Sequence, residues 1–189
     1  MVSRQLLRPV ITDVIYKDMH FIIMDSPTKD TAENFAQECA NLHVSDLIRV
    51  CEDKYPTVAF EKRGISVHHW EFDDGSPPPE SVLDQWFELL RLRFYNTGTN
   101  NHHRGHSVTD EDKRSAVPFP VAVHCLAGYG RAPVLVTVAL LELGMANQDA
   151  IELIRSKRKG AFNDRQLAYL VNYHARGRLR RDARRCRIL

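Results

Sequence analysis

Val121-Ala122-Val123-His124-Cys125-Leu126-Ala127-Gly128-Tyr129-Gly130-Arg131, running on into Ala132-Pro133-Val134-Leu135-Val136, is the stretch that decides the fold. Pro120 to Val123 is a short apolar run of the kind a buried central strand carries, and an apolar helical pattern extends from about Pro133 to Leu143. Between them lies a turn with two glycines. Strand, glycine loop and helix in this order make a phosphate cradle. The backbone N–H groups after Cys125 can converge on one anion, Gly128 and Gly130 permit the dihedrals this requires, and the helix N-terminus adds positive potential.

The loop reads His-Cys-x5-Arg. With four Cys and 19 Arg in 189 residues, Cys-x5-Arg alone has about 0.4 chance matches; adding the preceding His and a Gly three after Cys lowers that to ~0.001. The field of the cradle favours thiolate over thiol and makes Cys125 a nucleophile. Arg131 supplies a planar fork that grips two phosphoryl oxygens. Leu126, Ala127, Gly128, Tyr129, Gly130 and Arg131 are therefore the expected phosphate-binding residues.

Outward from the loop, β-branched and apolar runs alternate with helical patterns. Val10 to Tyr16 and Phe21 to Met24 read as two strands joined by a polar turn, and a helix follows from about Thr31 to Leu42. Asp46 to Cys51 and Ile65 to Trp70 read as strands. Ser81 to Tyr95 reads as a helix with Val82, Trp86, Leu90 and Phe94 on one face, its start punctuated by Pro77, Pro78 and Pro79. Thr97 to Pro118 is polar and aperiodic, an inserted surface loop. A helix begins at Asn147 and closes on Lys157-Arg158-Lys159-Gly160, and another is capped by Asn163 with Gln166 three residues on. The pattern predicts an α/β fold with a central, mostly parallel sheet flanked by helices.

Scaling rules let a chain of this length bury about 70% of its unfolded surface, enough for one domain with a real core. The formal net charge is +2, yet residues 176–189 carry seven Arg and one Asp, leaving −4 for residues 1–175. The expected division is a body over 1–175, with the polar loop 97–118 inserted, and a polybasic tail over 176–189. A nucleic-acid binder spreads its cations over a folded face, so nucleic acid is not an expected partner. No apolar stretch approaches the ~20 residues of a bilayer span, and Met1 to Gln5 carries no signal core. Cys39, Cys51, Cys125 and Cys186 form no CxxC pair and are expected as reduced thiols.

Other candidates stay open on residues alone. Asp73 and Asp74, in a Gly/Pro-rich loop after the strand ending near Trp70, suit a mobile general acid, and read equally as an acidic surface turn. Cys51 is a redox partner or a small core residue. His68 and His69 are surface or core imidazoles unless one faces the pocket. His102, His103 and His106 lack companions at metal-ligand spacing, and no metal or other cofactor is expected. Cys186-Arg187-Ile188-Leu189 fits a C-a-a-X prenylation signal with six Arg just upstream, against a solvated basic tail or nuclear-import patch.

His124 to Arg131 is the motif of cysteine-based protein tyrosine phosphatases, and Cys125-Leu126-Ala127-Gly128-Tyr129-Gly130-Arg131-Ala132-Pro133 resembles the phosphatase of regenerating liver (PRL) family. Arg49-Val50-Cys51-Glu52, Trp70 to Gly75, Arg158 to Asn163 and the C-terminal tetrapeptide extend the resemblance to nearly the whole chain except 97–118. The resemblance implies a phosphatase acting on phosphotyrosine or with dual specificity through a phosphocysteine, with Cys125 as nucleophile, Arg131 as phosphate clamp and Asp74, not Asp73, as acid. It implies a reversible Cys51–Cys125 disulfide and a geranylgeranyl anchor on Cys186. Location follows from that anchor: the cytoplasmic face of the plasma membrane and endosomes, with a soluble pool when unprenylated. Glu71 departs from the family's usual proline. Ala132, where most tyrosine phosphatases have a hydroxyl, is shared with the family and implies slow hydrolysis of phosphocysteine. Two alternatives follow. One is a pseudophosphatase module that binds CBS-pair-domain magnesium transport mediators, with Lys159 as a basic contact; the other is a phosphoinositide phosphatase. Assembly into a homo-oligomer is left open.

Overall fold

Five strands and six helices are present in the structure, a computed structural model that describes residues 9–95 and 119–180. β1 (Thr12–Tyr16) and β2 (Met19–Met24) form a hairpin whose turn places Lys17 at φ 51°. α1 (Ala32–Asn41), β3 (Asp46–Arg49), α2 (Val58–Glu61) and β4 (Ser66–His69) follow, then α3 (Glu80–Tyr95), β5 (Val121–His124), α4 (Arg131–Glu142), α5 (Asn147–Lys157) and α6 (Asp164–Val171). The strand order is β1-β2-β5-β3-β4, with β1 antiparallel and the rest parallel. The α/β architecture and mostly parallel sheet agree with the sequence.

Strand periodicity divides the core into two layers. Phe21 and Ile23 on β2 and Val121 and Val123 on β5 face one side, where they pack with Trp86, Phe87 and Leu90 of α3 and with α4. Ile22, Met24 and Ala122 face the other, against Phe35 of α1 and Phe60 of α2. α4 is buried at all twelve positions, as a helix that is apolar all round must be. Val82, Trp86, Leu90 and Phe94 are buried, as their spacing requires.

Boundaries differ where tertiary contacts overrule the local pattern. β3 ends at Arg49, so Cys51 lies two residues past it, and β5 runs on through His124. α2 has no counterpart in the sequence reading, because four residues are too few for a helical period. Arg176 to Arg180, assigned to the tail from sequence, is built into the body. Leu179 is fully buried, and its carbonyl accepts the Tyr95 hydroxyl at 2.5 Å. The inserted segment 97–118 with His102, His103 and His106, and the C-terminal residues with Cys186, lie outside the described residues. Among the described residues, no helix is long and apolar enough to cross a membrane, and no cluster of three metal-ligating side chains occurs.

Candidate active site

β5 is the middle strand, between β2 and β3, and ligands of open parallel sheets bind beyond the carboxyl ends of such strands. Cys125 is the first residue past β5. Three carbonyls of the loop that follows are held from outside: Leu126 O by the Ser26 amide (3.0 Å), Tyr129 O by the Phe162 amide (2.9 Å), and Ala127 O by Arg158 Nη2 (3.2 Å). A trans peptide points its N–H opposite its C=O, so the amides of Ala127, Gly128 and Gly130 turn toward the cradle. Gly128 sits at φ 73°, and a Cβ there would stand 2.8 Å from the Met24 carbonyl oxygen. Only glycine fits both demands.

Arg131, first residue of α4, is 2% exposed. Its Nη1 donates to Phe72 O (3.1 Å), its Nε lies 3.1 Å from Asp74 Oδ1 off the hydrogen-bond line, and Nη2 is 3.8 Å from Glu52 Oε2. Glu52's own backbone amide, with smaller help from Arg131 and Lys54, holds its carboxyl below the ordinary range. Of the two adjacent aspartates it is Asp74 that reaches the arginine; the Asp73 carbonyl closes a turn with the Ser76 amide (3.2 Å). Asp74, Cys125, Tyr129, Phe162, Asn163 and Gln166 line a cavity of about 360 Å³. A larger open depression of about 610 Å³, lined by Lys29, Asp53, Lys54 and Pro56 among others, has no cysteine in its lining.

Behind Cys125, burial pushes the His124 imidazole down to about 3, so it is neutral at physiological pH. Its Nε2 is 2.6 Å from the Tyr55 hydroxyl, whose own ionisation burial pushes up, so the contact is between two neutral groups. Cys51 Sγ lies 3.9 Å from His124 Nδ1. Burial raises the Cys51 thiol, with the Arg131 charge pulling the other way. Cys51 and Cys125 are both free thiols here.

His68 and His69 serve the scaffold. His68 Nε2 meets the buried Asp46 carboxylate at 2.8 Å; His69 Nδ1 accepts from Arg49 Nε (3.0 Å), and its Nε2 is 3.3 Å from Glu71. Lys159 is exposed beside Gly160, which borders the cavity. Arg158, by contrast, is 4% exposed. Its guanidinium ties the loop to Val10 O and Thr12 Oγ1 (both 3.0 Å) and stacks 4.9 Å from the Tyr129 ring. Within Lys157-Arg158-Lys159 nothing marks the middle residue as the buried one. Tyr55 and the α6 contacts to the Asp74 loop also carried no sequence signal.

No family model matches the chain. It is 42% identical over 173 residues to mouse protein tyrosine phosphatase type IVA 2, covering 92% of each chain. It is 41% identical over 175 residues to the PRL-1 phosphatase of Drosophila melanogaster, covering 92% of this chain and 88% of that one. A solved protein tyrosine phosphatase from Leishmania major superposes with TM-score 0.72 at 36% identity, over 87% of this chain and 99% of that one. A cradle built by His124 to Arg131 on this sheet, together with identity of this extent along the chain, establishes that the chain belongs to the PRL family of cysteine-based phosphatases.

Proposed function

We propose that the protein hydrolyses phosphotyrosine, and more widely aryl and alkyl phosphate monoesters of proteins, through a phosphocysteine on Cys125. The Cys125 thiolate attacks phosphorus as the bond to the leaving oxygen breaks, and the Asp74 carboxyl gives that oxygen its proton. Water then attacks phosphorus, the S–P bond breaks, and the Asp74 carboxylate takes up the water proton as inorganic phosphate leaves. Arg131 and the loop amides hold the equatorial oxygens in both steps. The observation that carries this reading is that Cys125 and Asp74 line one cavity while the buried Arg131 lies against it, its Nε 3.1 Å from Asp74 Oδ1. A single-turnover assay on a phosphotyrosine peptide, quenched in acid to trap phosphocysteine, is expected to show a burst in the native protein and none in Cys125→Ser. Hydrolysis retained by Cys125→Ser overturns the mechanism, and a burst on phosphoinositide vesicles alone transfers the substrate class to lipids.

Ala132 favours a second reading. It is the second residue of α4, fully buried, and offers no hydroxyl to the departing thiolate. Phosphocysteine then accumulates, and the cradle serves as a binding site for an acidic partner segment such as that of a CBS-domain magnesium transport protein, with the exposed Lys159 at its border. The further proposal of a prenyl group on Cys186, holding the protein to the cytoplasmic face of an anionic membrane with the arginines upstream, is supported by the residue pattern and charge of the C-terminal segment. Fractionation and C-terminal peptide mass spectrometry of Cys186→Ser against the native protein test it.

A further inference from the structure

The segment from Trp70 to Ser76 brings Asp74 to the cavity, and it contains no proline to stiffen it. Its restraints come from elsewhere. Asn163 Nδ2 donates to Gly75 O (3.1 Å), Arg165 Nη1 to Ser76 Oγ (3.0 Å), and Gln166 Nε2 approaches Ser76 O at 3.5 Å. All three belong to the N-terminal turn of α6. Arg131 Nη1 adds a hold on Phe72 O from the phosphate loop. Asn163 does two things at once: its Oδ1 caps α6 by accepting from the Gln166 amide (2.8 Å), while its Nδ2 holds the Asp74 segment. The fit is close, since Gly75 is at φ 71° and a Cβ there would stand 2.9 Å from Nδ2.

We propose that Asn163 is a positioning residue for the Asp74 carboxyl, its amide clasping the Gly75 carbonyl so that the acid stays over the leaving oxygen. The proposal rests on the reading of Asp74 as the general acid. Of the holds on this segment the Asn163 clasp is on the residue next to the acid, and a misplacement of about 1 Å at a reacting group costs on the order of a hundredfold. Because the cap and the clasp use different atoms of one side chain, they can be separated. Serine and aspartate cap a helix about as well as asparagine, and neither has the side-chain amide N–H that reaches the Gly75 carbonyl.

The test compares burst rates on phenyl phosphate, whose leaving oxygen needs a proton, and 2,4-dinitrophenyl phosphate, whose leaving oxygen does not. In Asn163→Ser and Asn163→Asp the ratio of the second rate to the first is expected to rise about tenfold to a hundredfold, in the direction set by Asp74→Asn, since a general acid contributes about 10²–10⁴. Hydrogen exchange in both variants should quicken across residues 73–76 while the Gln166 and Leu167 amides keep their protection. A native ratio in both variants alongside a changed ratio in Asp74→Asn overturns the clasp. A native ratio in Asp74→Asn overturns the acid reading, and the proposal with it.

Discussion

Replacing Arg178 by glutamine should destabilise the whole body, although the sequence places this residue in a basic tail. The Arg178 side chain is 17% exposed. Its Nε donates to Glu142 Oε1 (3.1 Å), its Nη2 lies 2.8 Å from the Tyr173 hydroxyl, its Nη1 meets Glu80 at 2.9 Å, and its Cζ sits 4.3 Å from the Phe87 ring centroid. Glu142 is fully buried at the end of α4 and also accepts from Tyr173 Oη (2.7 Å) and the amides of Arg176 and Arg178. Breaking a buried pair from one side costs about 3–5 kcal/mol; three donors remain on Glu142 after the change, which brings the expectation to about 2–4 kcal/mol. A domain of this size loses about 2–4 °C in Tm per kcal/mol, so thermal unfolding should shift by about 5–15 °C.

Arg176→Gln is the matched comparison. Its side chain is 72% exposed and, among the described residues, pairs with Glu80 at 3.5 Å, so it should cost no more than about 0.5 kcal/mol. The pH dependence carries a sign. Burial pushes the Glu142 carboxyl up, but the hydrogen bonds from Tyr173, Arg178 and Arg176 outweigh it and hold the carboxyl below its ordinary range. A carboxyl depressed in the folded state stabilises above the unfolded value of about 4.3 and loses that contribution as pH falls through the folded value. The difference between native protein and Arg178→Gln should therefore be full at neutral pH and shrink on acidification below about pH 4. Equal melting shifts for the two arginine variants, or a difference that grows in acid, would refute the reasoning.

Three further outcomes are expected. Ala132→Ser should raise steady-state turnover of an aryl phosphate about tenfold, with the gain in phosphocysteine breakdown and not in the burst, as judged by stopped-flow on both phases. Arg158→Met should weaken inhibition by vanadate about tenfold, because the Ala127 carbonyl loses its donor and the Gly128 amide its orientation; Arg158→Lys should not rescue it, since one ammonium cannot reach Val10, Thr12 and Ala127 together. Peroxide should join Cys51 to Cys125, which lie just past the ends of neighbouring strands, and peptide mapping that finds sulfinic acid at Cys125 with Cys51 free would count against it.

Much of this was legible in the sequence because the decisive signals are local. His124 to Arg131 sits between a strand pattern and a helix pattern, and the Asn163 cap with Gln166 three residues on forms the capping box that its spacing predicts. What was not legible depends on which cation of a run is buried. Arg158 and Lys159 are adjacent and alike in sequence, yet Arg158 lies under the phosphate loop and Lys159 in solvent. Arg178 looks like its neighbours Arg176 and Arg180, and only the buried Glu142 distinguishes it. Charge counting therefore assigned to a tail what the fold uses as a fastening. Tyr55 was hidden for another reason: its role exists only because the turn after β3 brings it to His124, 69 residues away in the chain.

α4 shows how far the site is a deliberate exception to the rules that shape the rest of the fold. A helix buried on every side leaves its end groups no water, so each end must be satisfied from within. At the C-terminal end this is done: Lys17 Nζ reaches Leu143 O at 2.5 Å, and Glu142 gathers the chain that follows α6. At the N-terminal end the cap position is Gly130, with no side-chain cap and no acidic residue in the first turn, whereas α6 has both Asn163 and Asp164. An aspartate or serine at the start of α4 would add about 1 kcal/mol of helix stability and fill with its own oxygen the place a phosphoryl oxygen must take. The amides and the dipole are instead left, with the Arg131 guanidinium beside them, to an external anion, about 18 Å along the helix from the Glu142 end. Separating the two ends lets the anion site stay open without loosening the body, because the stability lost at one pole of α4 is held at the other.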